Sequence, residues 1–158
     1  MTTNDTHRGR GRGRPRRAEA DAEILNAALA MLRAGGYREL SLDELARRAG
    51  TAKSSIYRRW PSKAALAAEI VRSELPPPLE AVDIDAAARA FEELLVGALG
   101  GVVASLIGEA QENAETRAIV VALVAPYRQL VRRFADDDAA DRLLGGILFR
   151  RLLGSALD

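Results

Sequence analysis

Basic, aromatic and hydroxyl side chains are concentrated in the segment TAKSSIYRRWPSK, residues 51–63. Ammonium and guanidinium groups pair with phosphate oxygens, and the Tyr57 hydroxyl adds a neutral donor to the same set. Small residues at 51–55 would let a helix approach a surface closely, so that Lys53 could reach a phosphate or a guanine edge. These residue types favour contact with a polyanion. The alternative is an ordinary helical hairpin whose charged face is solvated.

Other chemistries have few residues to use. The chain has no cysteine, and its one histidine, His7, lies in the N-terminal segment. A zinc site or a Ser-His triad therefore has no histidine in the folded body. Asp136–Asp138 could hold a metal, but a charged loop capping the next helix is the simpler explanation. Glu109, Glu112 and Glu115 recur every three residues, which is typical of a solvated face. We expect no enzyme activity, no cofactor and no metal.

Charge is divided unevenly along the chain. Residues 1–75 carry 15 basic and 9 acidic residues, a balance of +6, and residues 76–158 carry 8 and 13, a balance of −5. A polyanion would therefore meet the first half. No apolar run reaches the ~18 residues that a membrane span needs, and no apolar stretch follows the arginines as in a secretion signal. These features predict a soluble intracellular protein without a membrane partner.

Helical patterns dominate the sequence. Apolar residues make up 48% and aromatic residues only 4%, and alanine and leucine are strong helix formers, so we predict an all-α fold. Residues 1–17 hold six arginines and no large apolar residue besides Met1, which predicts a disordered basic arm. The prolines at 76–78 mark a boundary, giving domains at 18–78 and 79–158. The second domain is predicted to contain helices at about 84–99, 102–113, 115–135 and 139–153.

Capping signals divide the first domain further. A helix from Ala18 should end at the glycine pair 35–36. Ser41 and Glu44 form a capping box in which each side chain bonds the other's backbone amide. Gly50 closes that short helix, and Thr51 is the predicted cap of another running to about residue 59. A fourth helix should open at 62 or 63 and reach about 75. Two short helices joined by a glycine turn indicate a helix-turn-helix at about 41–60.

The residues of this motif resemble a known family. LSLDELARRAGTAKSSIYRRWPSKAAL (40–66) is similar to the DNA-binding segment of the tetracycline-repressor (TetR) family of bacterial transcriptional regulators. Thr51 stands where that family usually has valine, and Ala52 where it has the capping serine. The matching positions are Ala49, Gly50, Ile56, Tyr57, Ser62, Lys63 and Leu66.

The resemblance implies a cytoplasmic, nucleoid-associated homodimer on a near-palindromic operator in double-stranded DNA, with one recognition helix per subunit in successive major grooves. Tyr57 and Lys63 would hold phosphates, one of Arg58 and Arg59 would reach a phosphate, and Trp60 would pin the recognition helix to the next helix. The implied DNA-binding residues are Ser41, Thr51, Ala52, Lys53, Ser54, Ser55, Tyr57, Arg58, Arg59 and Lys63.

The arginine arm adds two residues to that surface. GRGRP at 11–15 resembles the core of an AT-hook, in which Arg12 and Arg14 would enter a narrow minor groove. The alternative, which we favour, is a nonspecific arm that adds affinity by counterion release. In either case the arm should touch DNA.

The rear domain, by the same resemblance, dimerises and encloses a pocket for a small apolar effector. Each candidate lining residue also fits an ordinary core position: Phe91, Leu95, Leu99, Leu106, Leu123, Tyr127 and Phe149. Relative to the family, we expect the chain to lack the last helix, after an ending RLLGSALD. The resemblance implies a repressor released by its effector. The alternative is an architectural DNA-binding protein without an effector.

Overall fold

A computed structural model describes the backbone of residues 13–75 and 81–153, with side chains from residue 18 onward. Within these ranges the chain forms eight helices and no strand, which confirms the all-α prediction. The helices are α1 Gly13–Glu39, α2 Leu42–Arg48, α3 Lys53–Tyr57, α4 Lys63–Glu74, α5 Ile84–Val96, α6 Gly100–Glu109, α7 Ala114–Val131 and α8 Asp137–Leu153.

For description, helices α1–α4 are here named the head, and helices α5–α8 are named the rear bundle. Ile24, Leu45, Ile56 and Leu66 are almost completely buried in the head, because each lies on the apolar stripe of a different helix. The rear bundle packs α5 against α6, α7 and α8. The two units share an interface, since α1 packs on α6 and α4 on α7.

The first helix differs from the prediction at both ends. It begins at Gly13 rather than at Ala18, so the predicted arm is shortened to residues 1–12, which lie outside the described residues. Pro15 falls in the first turn of α1, where an amide hydrogen has no helical partner in any case. Gly36 has φ +72 and kinks the helix, so the straight part ends at the glycine pair and one more turn follows to Glu39.

Helices α5 and α7 begin where the sequence places a capping side chain, whereas α6 begins after Leu99 without one. The Asp83 carboxylate accepts from the backbone amide of Ala86 at 2.7 Å, and the Asn113 side chain accepts from the amide of Thr116 at 3.1 Å. These bonds satisfy amides that have no partner inside the helix. Helices α5 and α6 end earlier than predicted, at Val96 and Glu109.

Among the described helices, none taken singly combines the length and apolar composition needed to cross a membrane. Helices α5 and α6 meet that test only together, and they are bent by 84° at the break between them.

Candidate nucleic-acid interface

Helices α2 and α3 form the predicted helix-turn-helix. The turn between them is fixed by Gly50, whose φ of +57 is a conformation that glycine adopts without steric cost. The amide of Thr51 then donates to the Ala46 carbonyl at 3.0 Å. Ile56 of α3 is fully buried against the head, so the opposite face of this short helix points away from the core.

The start of α3 corrects one prediction. Its N-cap is Ala52, and no side chain caps it, so the predicted Thr51 cap is wrong. Thr51 lies one residue before the cap position, in the turn, where its amide donates to the Ala46 carbonyl. The helix therefore covers only Lys53–Tyr57.

The capping box at the start of α2 forms only in part. The Ser41 hydroxyl accepts from the Glu44 amide at 3.4 Å. The Glu44 carboxylate does not return to Ser41 but accepts from Arg47 and Arg48 at 2.6–2.8 Å. These bonds lower the pKa of Glu44 to about 2, and the bond from Arg47 has the largest effect. The Glu44 carboxylate thus binds the two arginines instead of the Ser41 backbone amide, since a charged donor binds a carboxylate more strongly.

The outward face of α3 carries most of the predicted DNA-binding side chains. Ala52, Lys53, Ser54, Tyr57 and Arg58 are all exposed there. The Lys53 ammonium lies 2.8 Å from Asp43 of α2 and 5.9 Å from the centre of the Tyr57 ring. The hydrogen bond to Asp43 raises the pKa of Lys53. Thr51 and Ser55 are half-buried at the edges of this face.

The two adjacent arginines are in different environments. Arg58 is exposed, and its guanidinium makes a long contact of 3.4 Å to the Ser55 hydroxyl. The side chain of Arg59 is only 12% exposed and pairs with Asp21 of α1. Arg59 also donates to the Ser55 carbonyl at 2.8 Å. Arg59 therefore braces α3 against α1, while Arg58 faces outward.

Lys63 at the start of α4 is held by the head itself. Its ammonium donates to the Arg38 carbonyl at 3.1 Å and lies 4.5 Å from the centre of the Tyr37 ring. Burial lowers the pKa of Lys63, an effect that the nearby charges of Glu109 and Glu39 oppose. The preceding residue, Ser62, caps α4 by accepting from the Ala65 amide at 3.1 Å. This fixed ammonium lies next to a helix N-terminus, a combination that favours an anion.

Trp60 packs half-buried against the core beside α3 and α4. Arg12 of the arm lies outside the described residues, and Arg14 falls in the first turn of α1.

Three acidic side chains belong to this site although no local pattern in the sequence selects them. Asp21 and Asp43 pair with Arg59 and Lys53. Glu109 was expected on a solvated face, but its carboxylate accepts from Tyr37 at 2.8 Å and from Thr116 at 2.7 Å. Tyr37 is 72 residues from Glu109 in the chain, so no local pattern could have joined the two.

Six of the seven predicted effector-lining residues are buried in the rear bundle, and Phe149 is 55% exposed. The rings of Phe91 and Tyr127 lie 5.8 Å apart, and the Tyr127 hydroxyl donates to the Leu75 carbonyl at the end of α4 at 3.1 Å. One small cavity of about 190 Å³ includes Leu95. A wider cleft of about 750 Å³ lies between the head and α7, beside Trp60 and Ile119, and none of the seven lines it.

The acidic run Asp136–Asp138 lies at the start of α8 and caps it. The Asp136 carboxylate accepts from the Ala139 amide at 2.7 Å, and Asp137 pairs with Arg132. In the part of the chain that the structure describes, no group of three or more acidic or histidine side chains is arranged to hold a metal ion.

Residues 24–70 match the model of a family described as bacterial regulatory proteins, tetR family. An HTH-type transcriptional regulator of Mycobacterium tuberculosis, Rv1556, is 44% identical over 46 residues, which are 29% of this chain and 23% of that protein. A second from the same species, Rv2250c, is 36% identical over 62 residues, 39% of this chain and 33% of the relative. This chain thus spans a quarter to a third of the curated relatives that it matches.

Two solved structures share the fold over most of the chain. The TetR family transcription regulator SCO0332 has a TM-score of 0.62 and 29% identity, covering 85% of this chain and 87% of its own. SCO7518 from Streptomyces coelicolor A3(2) has a TM-score of 0.60 over 85% of this chain and 86% of its own. At 20% identity, this similarity shows a shared fold and nothing more.

Proposed function

Because the chain belongs to the TetR family of bacterial transcriptional regulators, we propose that it represses transcription by binding a near-palindromic operator as a homodimer. A small apolar effector would release it. In this mechanism each α3 enters a major groove, and two copies occupy successive grooves on one side of the duplex.

The observation that carries the proposal is the exposed outward face of α3. Ile56 and Arg59 fix the helix from beneath, so the face is presented by a braced element. Ala52 and Ser54 are small and exposed, which allows the helix to lie close to base edges. Tyr57 and Arg58, at the other end of the helix, would bind the phosphate backbone.

Lys53 is free to exchange its partner. Its ion pair with Asp43 joins side chains that are 43% and 75% exposed, and such solvent-exposed pairs contribute little to stability. A DNA phosphate or a guanine edge can therefore replace Asp43 at little cost. Lys63 already has a fixed position and would bind a phosphate without rearrangement.

A homodimer and an effector are supported by the rear bundle. Phe149, Leu152 and Leu153 are each about half exposed at the end of α8, and a second copy would cover such an apolar face. An effector that disturbs the Phe91–Tyr127 pair would also act on α4, because the Tyr127 hydroxyl is bonded to the end of that helix. Such a shift would change the spacing of the two heads.

The test is fluorescence anisotropy with the duplex upstream of this protein's own coding region and a scrambled duplex of equal length, over a salt series. A sequence-reading regulator should bind the upstream duplex about 1000-fold tighter at physiological salt. Lys53→Ala and Arg58→Ala should each weaken that binding and reduce the salt slope by about one unit. Arg89→Ala, which removes an exposed charge from α5, is the matched control and should change neither.

Equal binding to both duplexes with a steep salt slope would contradict operator recognition there. That outcome favours the architectural alternative, in which the arginine-rich N-terminal segment supplies most of the affinity through counterion release.

A further inference from the structure

One carboxylate joins the two units of the molecule. Glu109 is the last residue of α6, in the rear bundle. One of its oxygens accepts from the Tyr37 hydroxyl of the head at 2.8 Å, and the other accepts from the Thr116 hydroxyl of α7 at 2.7 Å. Tyr37 is 6% exposed and Thr116 is 2% exposed, so neither hydroxyl has ready access to water as a replacement partner. Loss of this carboxylate would leave both donors unsatisfied.

The same tyrosine holds Lys63. The ammonium of Lys63 lies 4.5 Å from the centre of the Tyr37 ring, within the range of a cation–π interaction. It also donates to the carbonyl of Arg38, the residue next to Tyr37, at 3.1 Å. A lysine ammonium has three donors, so two remain after this bond. The position of the free donors thus depends on where Tyr37 and its backbone are fixed.

We propose that Glu109 is a positioning residue for DNA recognition: by holding Tyr37, it fixes the Lys63 ammonium where that group meets a backbone phosphate. The inference rests on the proposed function, and it assigns to the end of α6 a role inside the DNA-binding surface. Its consequence is directional. Any rearrangement that draws the end of α6 away from α1 releases Tyr37, and Lys63 then loses its fixed position.

The first test is a double-mutant cycle measured by DNA affinity. Glu109→Ala should weaken binding to the upstream duplex by about 2- to 30-fold, the range found for residues that act on a site indirectly. In a Lys63→Ala background the same substitution should have almost no effect, because Glu109 acts through Lys63. Glu112→Gln removes an exposed carboxylate from the turn after α6 and should leave binding unchanged.

The second test needs no DNA. Lys53 and Lys63 are the only lysines in the chain, so trace acetylation followed by mass spectrometry reports Lys63 against an internal reference. Glu109→Ala and Tyr37→Leu should raise the Lys63-to-Lys53 labelling ratio about twofold or more, since they release the ammonium. Glu112→Gln should leave the ratio at the wild-type value. Glu109→Gln, which keeps one acceptor oxygen, provides a folded variant if the alanine variant melts early.

Two results would overturn the inference. One is a loss of affinity on Glu109→Ala that persists in full when Lys63 is already alanine. The other is a labelling ratio that does not move in any Glu109 variant. If the wild-type protein shows no preference for the upstream duplex, operator recognition there fails, and the labelling ratio alone then decides whether Glu109 positions Lys63.

Discussion

Arg58 and Arg59 are adjacent residues of the same type for which the structure predicts opposite effects. Arg59 connects α3 to α1 through Asp21 and to the Ser55 carbonyl, and its side chain is 12% exposed. Arg58 is exposed. Arg59→Ala should therefore lower stability, whereas Arg58→Ala should lower DNA affinity and leave stability almost unchanged. Because each substitution removes one positive charge, the pair controls for net charge.

The magnitude follows from the contacts that are lost. Hydrogen bonds to charged groups contribute about 1.5–3 kcal/mol each when well buried, but Asp21 is 34% exposed and can regain water. We therefore expect Arg59→Ala to cost about 2 kcal/mol in total. In a chain of this size each kcal/mol lowers Tm by about 2–4 °C, which gives a shift of about 4–8 °C. Arg58→Ala should change the free energy of unfolding by less than about 0.5 kcal/mol, as exposed substitutions do.

Thermal melting followed by far-UV circular dichroism measures both variants in one experiment. Asp21→Ala and the double variant Asp21→Ala/Arg59→Ala complete a cycle, and the coupling between the two side chains should be about 1 kcal/mol or more. Equal melting temperatures for the Arg58 and Arg59 variants would refute the assignment of Arg59 as the brace of α3. A coupling near zero would show that Asp21 is not its functional partner.

Three further outcomes are expected. A Cβ at Gly100 would lie 2.0 Å from a carbonyl oxygen in the last turn of α5, whereas a Cβ at Gly101 would meet nothing within 4 Å. Gly100→Ala should therefore lower the free energy of unfolding, measured in urea, by about 1–3 kcal/mol. Gly101→Ala is the control and should leave it unchanged. Side-chain NMR should show Lys63 losing its proton at lower pH than Lys53. Burial lowers the pKa of Lys63, and the hydrogen bond to the Asp43 carboxylate raises the pKa of Lys53. If the two lysines titrate together, this prediction is wrong. For Lys63 the unfolded chain binds the proton more tightly, so its contribution to stability should increase as pH rises towards the usual lysine pKa. Tyr127→Phe should cost about 1 kcal/mol in the same urea experiment, since the carbonyl at the end of α4 loses its donor.

The helices of the head were largely predictable because their sequence signals are local. A cap such as Ser62, a glycine such as Gly50 and the apolar spacing around Ile56 each act within one turn of the chain, so their positions in sequence decide where helices start, end and face inward. The errors were also local. We predict Thr51 as the cap of α3, but the helix starts one residue later and Ala52 occupies the cap position.

The candidate site was predicted as a set of residue types and not as an arrangement. In the sequence, Lys63, Arg58 and Arg59 are alike only in being cations, and their surroundings separate a fixed ammonium, an exposed guanidinium and a structural brace. The separation comes from partners distant in the chain, such as Asp21 for Arg59. A sequence read along its length carries no signal for such pairs.

By itself, then, the sequence determined the helices and the helix-turn-helix, because periodicity and caps act over a few residues. The side chains that meet DNA stay a prediction from residue type and charge. Only the tertiary structure decided which of the predicted side chains are exposed. It also brings the Glu109 carboxylate of the rear bundle into contact with Tyr37 of the head. The physical reason is that burial and charge pairing depend on distances in space, and packing α6 against α1 brings Glu109 to 2.8 Å from Tyr37 across 72 residues of chain.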